Sequence, residues 1–174
     1  MFDLPIRIRH LTDTPSPMQV FYPLDDLHFN RLAAKRAAHS RISMQHVIGT
    51  AATRERVLGQ SVNPAQLCAL FEGDTVLGIL GFSVNGRDFA NISWQDFTAE
   101  FGLLSGLFRL IGYHAIKRLY YGPGLYIAAF WINPRRRGGG FGKTLFTTLR
   151  RIAEERQMPI TTDVKIDNPL ALRF

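Results

Sequence analysis

The run Arg137-Gly138-Gly139-Gly140-Phe141-Gly142-Lys143 constrains this chain more than any other stretch. It lies between an apolar run, Leu125 to Ile132, and an amphipathic segment that begins near Lys143. That order predicts a strand, a glycine-rich turn and a helix. Glycines leave backbone N–H groups uncovered and allow positive φ. A helix start adds unpaired N–H donors and the positive end of the aligned peptide dipoles. A strand feeding such a turn therefore builds a site for an anion, most often a phosphate.

Three glycine motifs compete for this stretch. The P-loop reads Gly-x-x-x-x-Gly-Lys-Ser/Thr. Gly142-Lys143-Thr144 fits its end, but Arg137 stands where its first glycine is needed. The dinucleotide fingerprint Gly-x-Gly-x-x-Gly fits Gly138 and Gly140 and fails at Lys143. The third pattern, Arg/Gln-x-x-Gly-x-Gly/Ala after a strand, is met by Arg137, Gly140 and Gly142. With it in place, the run from Ile132 to Leu145 resembles the acetyl-coenzyme A signature of the GNAT N-acetyltransferase superfamily. Downstream come an amphipathic helix, a strand over Ile160 to Val164, and Asp167-Asn168-Pro169-Leu170-Ala171, which resembles the superfamily's Asn-x-x-Ala helix start. The likeness is close over 124–174 and holds by element order alone before that.

The resemblance implies an α/β fold, with a mixed central sheet of five or six strands flanked by helices, and a single acyl-CoA N-acyltransferase domain over 1–174. It implies acetyl-CoA as acyl donor and transfer of the acetyl group to a primary amine of a small molecule or peptide. Backbone groups of Phe130, Trp131 and Ile132 would pair with the pantetheine arm and the thioester carbonyl. Backbone N–H groups of Arg137, Gly138, Gly139, Gly140, Phe141, Gly142 and Lys143 would bind the pyrophosphate, with Phe141 packing under the turn. Thr144 would offer its hydroxyl to a phosphate oxygen, and Asn168 would bond the pantetheine amides. Two departures stand out. The tyrosine that many members carry after the asparagine would fall just past Phe174, and the superfamily's final strand pair has no counterpart, so the C-terminal end reads as shortened.

Charge and cysteine content narrow the partners. The 174 residues carry a formal charge of +7, which suits an anionic cofactor, and also nucleic acid or an acidic partner. Arg135, Arg136, Arg137, Arg150 and Arg151 supply much of the excess beside the expected phosphate site, so cofactor electrostatics is the simpler explanation. Arg-Gly nucleic-acid tails are repeated and disordered, whereas this cluster is single and wedged between apolar segments. Cys68 is the only cysteine, so no intrachain disulfide forms, and its apolar surroundings predict a buried, inert thiol. Met1 to Arg7 has no apolar signal core, and no run of about 18 apolar residues exists. A cytoplasmic protein without a membrane span or metal is expected.

Along the chain, Ile6 to His10 reads as an edge strand and Asp13 to Pro23 as turn-rich. Residues 24–38 and 42–59 read as helices. Gln66 to Phe71 and Thr75 to Phe82 read as a hairpin, followed by a turn at Asn85-Gly86. The resemblance implies only a short turn between the hairpin and the signature strand, so the segment 93–118 reads as a helical insertion. Trp94, Phe97, Phe101, Leu104, Phe108, Ile111 and Ala115 recur at spacings of three and four, and Leu103, Leu107 and Leu110 form a second stripe. Core packing, a wall of the acceptor pocket, a homodimer face and docking to a membrane surface are the readings of this helix. Gly102 and Gly106 within it suit close approach of another backbone.

The catalytic groups are not assigned by spacing. Acetyl transfer needs a polarised thioester, a deprotonated amine and a protonated leaving thiolate. The strand 125–132 carries no carboxylate. Glu100, Tyr126 and Glu72 are candidates, with His114, Asp163 and a water chain. The rival readings are a catalytically impaired acyl-CoA-binding module with a sensor or regulatory role, and a basic nucleic-acid-binding protein.

Overall fold

The computed structural model of the chain describes residues 18–22, 27–39, 45–58, 61–121 and 123–162. Five strands, β1 (Met18–Phe21), β2 (Leu67–Glu72), β3 (Thr75–Val84), β4 (Leu125–Ile132) and β5 (Ile160–Thr162), lie side by side in chain order. The first three junctions are antiparallel and β4–β5 is parallel. The mixed sheet expected from the sequence is therefore present. Six helices accompany it among the described residues: α1 (Leu27–Ala37), α2 (Gln45–Ile48), α3 (Ala51–Leu58), α4 (Trp94–Phe101), α5 (Leu103–Tyr120) and α6 (Phe141–Glu155).

Alternation along the strands divides the core in two. On β2, Leu67, Ala69 and Phe71 join one apolar cluster while Cys68 and Leu70 join the other, as the period of two along a pleated strand requires. The first cluster takes in Ala33, Ala37, Ile48, Val57 and Phe97 from α1 to α4. The second takes in Leu145, Leu149, Ile152 and Ala153 of α6. Those four residues recur at helical spacing, so α6 buries one stripe against the sheet and leaves its other side wet. Both faces of the sheet are thus covered, which accounts for the nearly unbroken apolar runs of β2 and β3.

Several expectations are corrected. The stretch read as turn-rich, 13–23, contains β1, which pairs with β2 from Met18↔Glu72 to Phe21↔Ala69; ladder pairing on a sheet edge outweighs the local turn residues. The helix expected over 42–59 is two pieces, α2 and α3, parted at Gly49-Thr50. Gln66 belongs to a short 3-10 turn ahead of β2. The single helix expected over 93–118 is α4 followed by α5, broken at Gly102 with φ 75° and ψ 170°. The break resets the helical phase, so residues spaced by threes and fours across it do not share a face. Phe97 is fully buried, while Leu103, Leu104, Leu107, Phe108 and Ile111 are exposed. Ile6 to His10, Val164 and the Asn-x-x-Ala segment with its shortened end lie outside the described residues.

The start of α4 is set by a reciprocal cap that sequence reading did not single out. Ser93 Oγ accepts from Asp96 N at 3.2 Å, and Asp96 Oδ2 accepts from Ser93 N at 2.7 Å. Beyond the break, α5 folds back on α4 so closely that a Cβ at Gly106 would lie 2.9 Å from the Phe97 carbonyl oxygen and 3.0 Å from its carbon. At Gly112 the nearest atoms are Val47 methyls at 3.7 and 3.8 Å. Replacing a helical glycine by alanine ordinarily gains about 1 kcal/mol. Gly112→Ala is expected to gain that amount in thermal unfolding. Gly106→Ala is expected to lose about 1–3 kcal/mol instead, because backbone cannot swing aside. A Gly106→Ala protein melting at or above the parent would disprove the backbone contact between α4 and α5.

Candidate functional site

Strand β4 changes character along its length. Its first residues pair with β5 as Leu125↔Ile160, Tyr126↔Thr161 and Ile127↔Thr162. From Ala128 on it has no parallel partner among the described residues. On its other side the register runs Phe82↔Ile127 and then Gly81↔Ala129, so Ala128 is an extra residue bulged out of the ladder. Beyond the bulge Phe130, Trp131 and Ile132 hold their places by pairing with Leu80, Ile79 and Gly78, and their other edge has no strand partner among the described residues.

The chain leaves β4 through a pinned corner. Asn133 N donates to Leu77 O at 2.9 Å, its Nδ2 to Val76 O at 3.4 Å, and its Oδ1 accepts from Arg135 N at 3.1 Å. One 3-10 turn, Pro134–Arg136, follows. Gly138 then has φ 87° and Gly140 φ 76°, both in the left-handed region that side chains disfavour. Nothing lies within 4 Å of where a Cβ would stand at either residue. At Gly139 that position is 2.8 Å from the Phe141 ring, and Phe141 packs against the α6-side cluster. The ring therefore props the turn from below and its upper side is open.

Helix α6 begins here with no side-chain cap. Its first bond is Thr144 N to Gly140 O at 3.0 Å, so the N–H groups of Phe141, Gly142 and Lys143 come before any intrahelical acceptor. The Thr144 hydroxyl donates to Gly140 O at 3.3 Å, which leaves its oxygen lone pairs, not its proton, for a further partner. Open amides, the positive helix end and exposed Arg135, Arg137 and Lys143 give the turn a positive field. The other arginines are committed elsewhere. Arg136 pairs with Glu72 at the end of β2. Arg150 pairs with Glu154 at 2.8 Å and Arg151 with Glu155 at 3.5 Å, along α6 and away from its start.

A cleft of about 400 Å³ opens beside this corner, lined by Arg36, Trp131, Asn133, Pro134 and Arg135. The Arg36 guanidinium of α1 sits 5.7 Å from the Trp131 ring centroid. Arg36 was not among the residues singled out by sequence. Its place against β4 is a tertiary contact that carries no local signal.

The candidate acid–base residues are spread out. Glu72 is tied to Arg136. Glu100, on α4, accepts from Arg56 Nε at 2.8 Å and Nη2 at 2.5 Å, and these bonds hold its carboxyl below the usual carboxylate range. Tyr126 is buried, with its ring 4.4 Å from that of Tyr121. The Tyr121 phenol is pushed well up, chiefly by burial. His114 is exposed on α5. Asp163 and Asn168 lie outside the described residues. Near Tyr126 a buried polar group joins Ser83 to Asp88 at 2.9 Å and Asp88 to Lys117. No group of three or more His, Cys, Asp or Glu that could hold a metal occurs among the described residues, and no described helix is long and apolar enough to cross a membrane.

A bulged strand that feeds a bare-amide turn onto an uncapped helix start has the geometry of an anion site. The family model for acetyltransferases (GNAT) matches residues 37–174, and the chain belongs to that family. No curated protein matches it in sequence. Among solved structures, a mutant agmatine N-acetyltransferase in its apo form is 15% identical, with a TM-score of 0.50, over 90% of this chain and 80% of that one. An integron cassette protein from the mobile metagenome of V. cholerae is 14% identical, with a TM-score of 0.49, over 93% of this chain and 83% of that one. A Drosophila melanogaster polyamine N-acetyltransferase is 13% identical, with a TM-score of 0.47, over 90% and 81%. Of these, the likeness to the agmatine N-acetyltransferase structure speaks for the fold alone.

Cys68, the second residue of β2, has no exposure, and burial pushes its thiol well up. Only the thiolate reacts. A thiol reagent such as an aromatic disulfide is therefore expected to label Cys68 at least about 100-fold more slowly in the native chain than in denaturant, since reaction waits on opening of the sheet. Labelling at the unfolded rate would refute the buried placement.

Proposed function

We propose that the chain transfers an acetyl group from acetyl-CoA to a primary amine of a small molecule or peptide. The observation that carries this reading is the turn from Gly138 to Lys143, where two left-handed glycines and an uncapped helix start leave amides facing open space. The residues present fit the donor: a Cβ at Gly138 or Gly140 would occupy that space. N–H groups of Arg137 to Lys143 would hold the pyrophosphate, and Asn168 the pantetheine amides. The edge of Phe130 to Ile132 that faces away from β3 would pair with the pantetheine arm and orient the thioester carbonyl. Acetyl-CoA supplies an acyl group already activated as a thioester.

What this chain adds is position, polarity and exclusion of competing contacts. Backbone donors at the β4 bulge and edge cost no reorganisation when negative charge grows on the carbonyl oxygen. Loss of the amine proton falls to water in our reading, because Glu72 and Glu100 are each held by an arginine and Tyr126 is packed in the core. The same observation favours a second reading, a module that binds the donor and transfers nothing. Release of free thiol from acetyl-CoA with a panel of amines separates the two.

Two outcomes test the proposal. Acetyl-CoA at a hundredfold excess over its Kd is expected to raise the melting temperature by about 5–10 °C. Gly140→Val should abolish that rise while the variant still melts cooperatively. An unchanged rise in the variant removes the loop from the donor site. A true general base contributes about 10²–10⁴-fold, so Glu100→Gln is expected to change the acetylation rate by less than about threefold at saturating donor. A loss in the larger range would restore Glu100 as the base.

A further inference from the structure

Helix α5 is apolar on the side that faces away from the protein. Its inner side is spent on the fold: Gly106 abuts α4, Tyr113 is buried with its hydroxyl donating to Ala90 O at 3.2 Å, and Leu110 and Ile116 pack on the core. The outer side carries Leu103, Leu104, Leu107, Phe108 and Ile111, at exposures from 41% to 73%. These positions follow one another at helical spacing and form a single stripe about 12 Å long. Together they expose on the order of 600 Å² of apolar surface, at the upper end for the largest patch of a monomer.

We propose that this stripe is the interface of a homodimer, α5 of one copy lying across α5 of the other about a two-fold axis. The charges around the stripe select the occupant. Helix α5 has no acidic residue, and its basic residues are Arg109, Lys117 and Arg118. Arg109 is turned inward, bonded to Val47 O with its guanidinium 4.2 Å from the Phe101 ring centroid. Lys117 is paired with Asp88. Arg118 alone stays exposed, at the far end of the helix. An anionic membrane surface needs cations beside the apolar face, and here the nearest ones point away. The stripe is uncharged, so a second copy meets no like charge despite the net charge of the chain, and charge depletion with Leu and Phe at the centre is the composition of homodimer cores. Two such stripes bury on the order of 1,200 Å², which reaches the range of specific interfaces. The dimer does not depend on the transferase reading.

Sedimentation equilibrium of the full chain at micromolar concentration is expected to give twice the mass of one copy. The association should vary little between low and high salt, because no charge is buried in it. Leu104→Glu together with Phe108→Glu is expected to weaken it at least about 100-fold and leave a folded monomer. Should the glutamates unfold the chain, Leu104→Gln with Phe108→Gln reads the same equilibrium. A monomeric parent, or a dimer that survives both pairs of substitutions, overturns the proposal. So does a monomeric parent that co-sediments with phosphatidylcholine or phosphatidylserine vesicles, which would assign the stripe to lipid.

Discussion

One strand with two unequal halves organises this protein. The first half of β4 is a core strand, paired on both sides and buried on both faces. The second half, beyond the bulge of Ala128, keeps its β3 partner and has no parallel partner among the described residues. Strand β3 pairs with β4 to its last residue, and Asn133 clamps the corner to Val76 and Leu77. The end of β4 and the bare turn that follows then lie in one continuous path, from Phe130 to Lys143. Family membership and local geometry meet at that path.

The electrostatics are more economical than the composition suggests. Of the arginines around the signature, Arg136, Arg150 and Arg151 are each matched by a carboxylate. Arg56 and Lys35 of the helical face are matched as well. What remains near the turn is Arg135, Arg137 and Lys143, set beside oriented amides. A field of that shape, local and built partly from fixed dipoles, suits one anionic ligand better than a polyanion that needs a long basic track.

The sequence was most legible where structure is local. The turn from Arg137 to Lys143 draws its conformation from its own glycines and from the elements touching it, so its shape and the Phe141 prop could be read in advance. The hairpin of β2 and β3 was equally plain. Legibility failed where a long-range contact decides. An apolar stripe on 93–118 announces a face but not whether anything covers it, and the reset at Gly102 turned Leu104 and Phe108 to the surface while Phe97 stayed inside. The pairing of β1 with β2 overrode turn-rich residues. Arg36 reaches Trp131 from another element entirely, and no motif foretells that. The partners of Glu72 and Glu100 are of the same kind: arginines distant in the chain that a linear reading could not place.

Asp88 and Lys117 form an ion pair set among Ser83, Tyr113 and Tyr121, in a part of the core that water does not reach freely. Asp88 belongs to the turn after β3 and Lys117 to the last turns of α5. Removing either member alone would strand the other's charge in an apolar setting, a heavier loss than the pair is worth. Exchange of both for an apolar couple would spare that charge but leave the buried Ser83 hydroxyl without its acceptor. The tie between α5 and the sheet at this point is therefore held by two residues that tolerate exchange together more readily than one at a time.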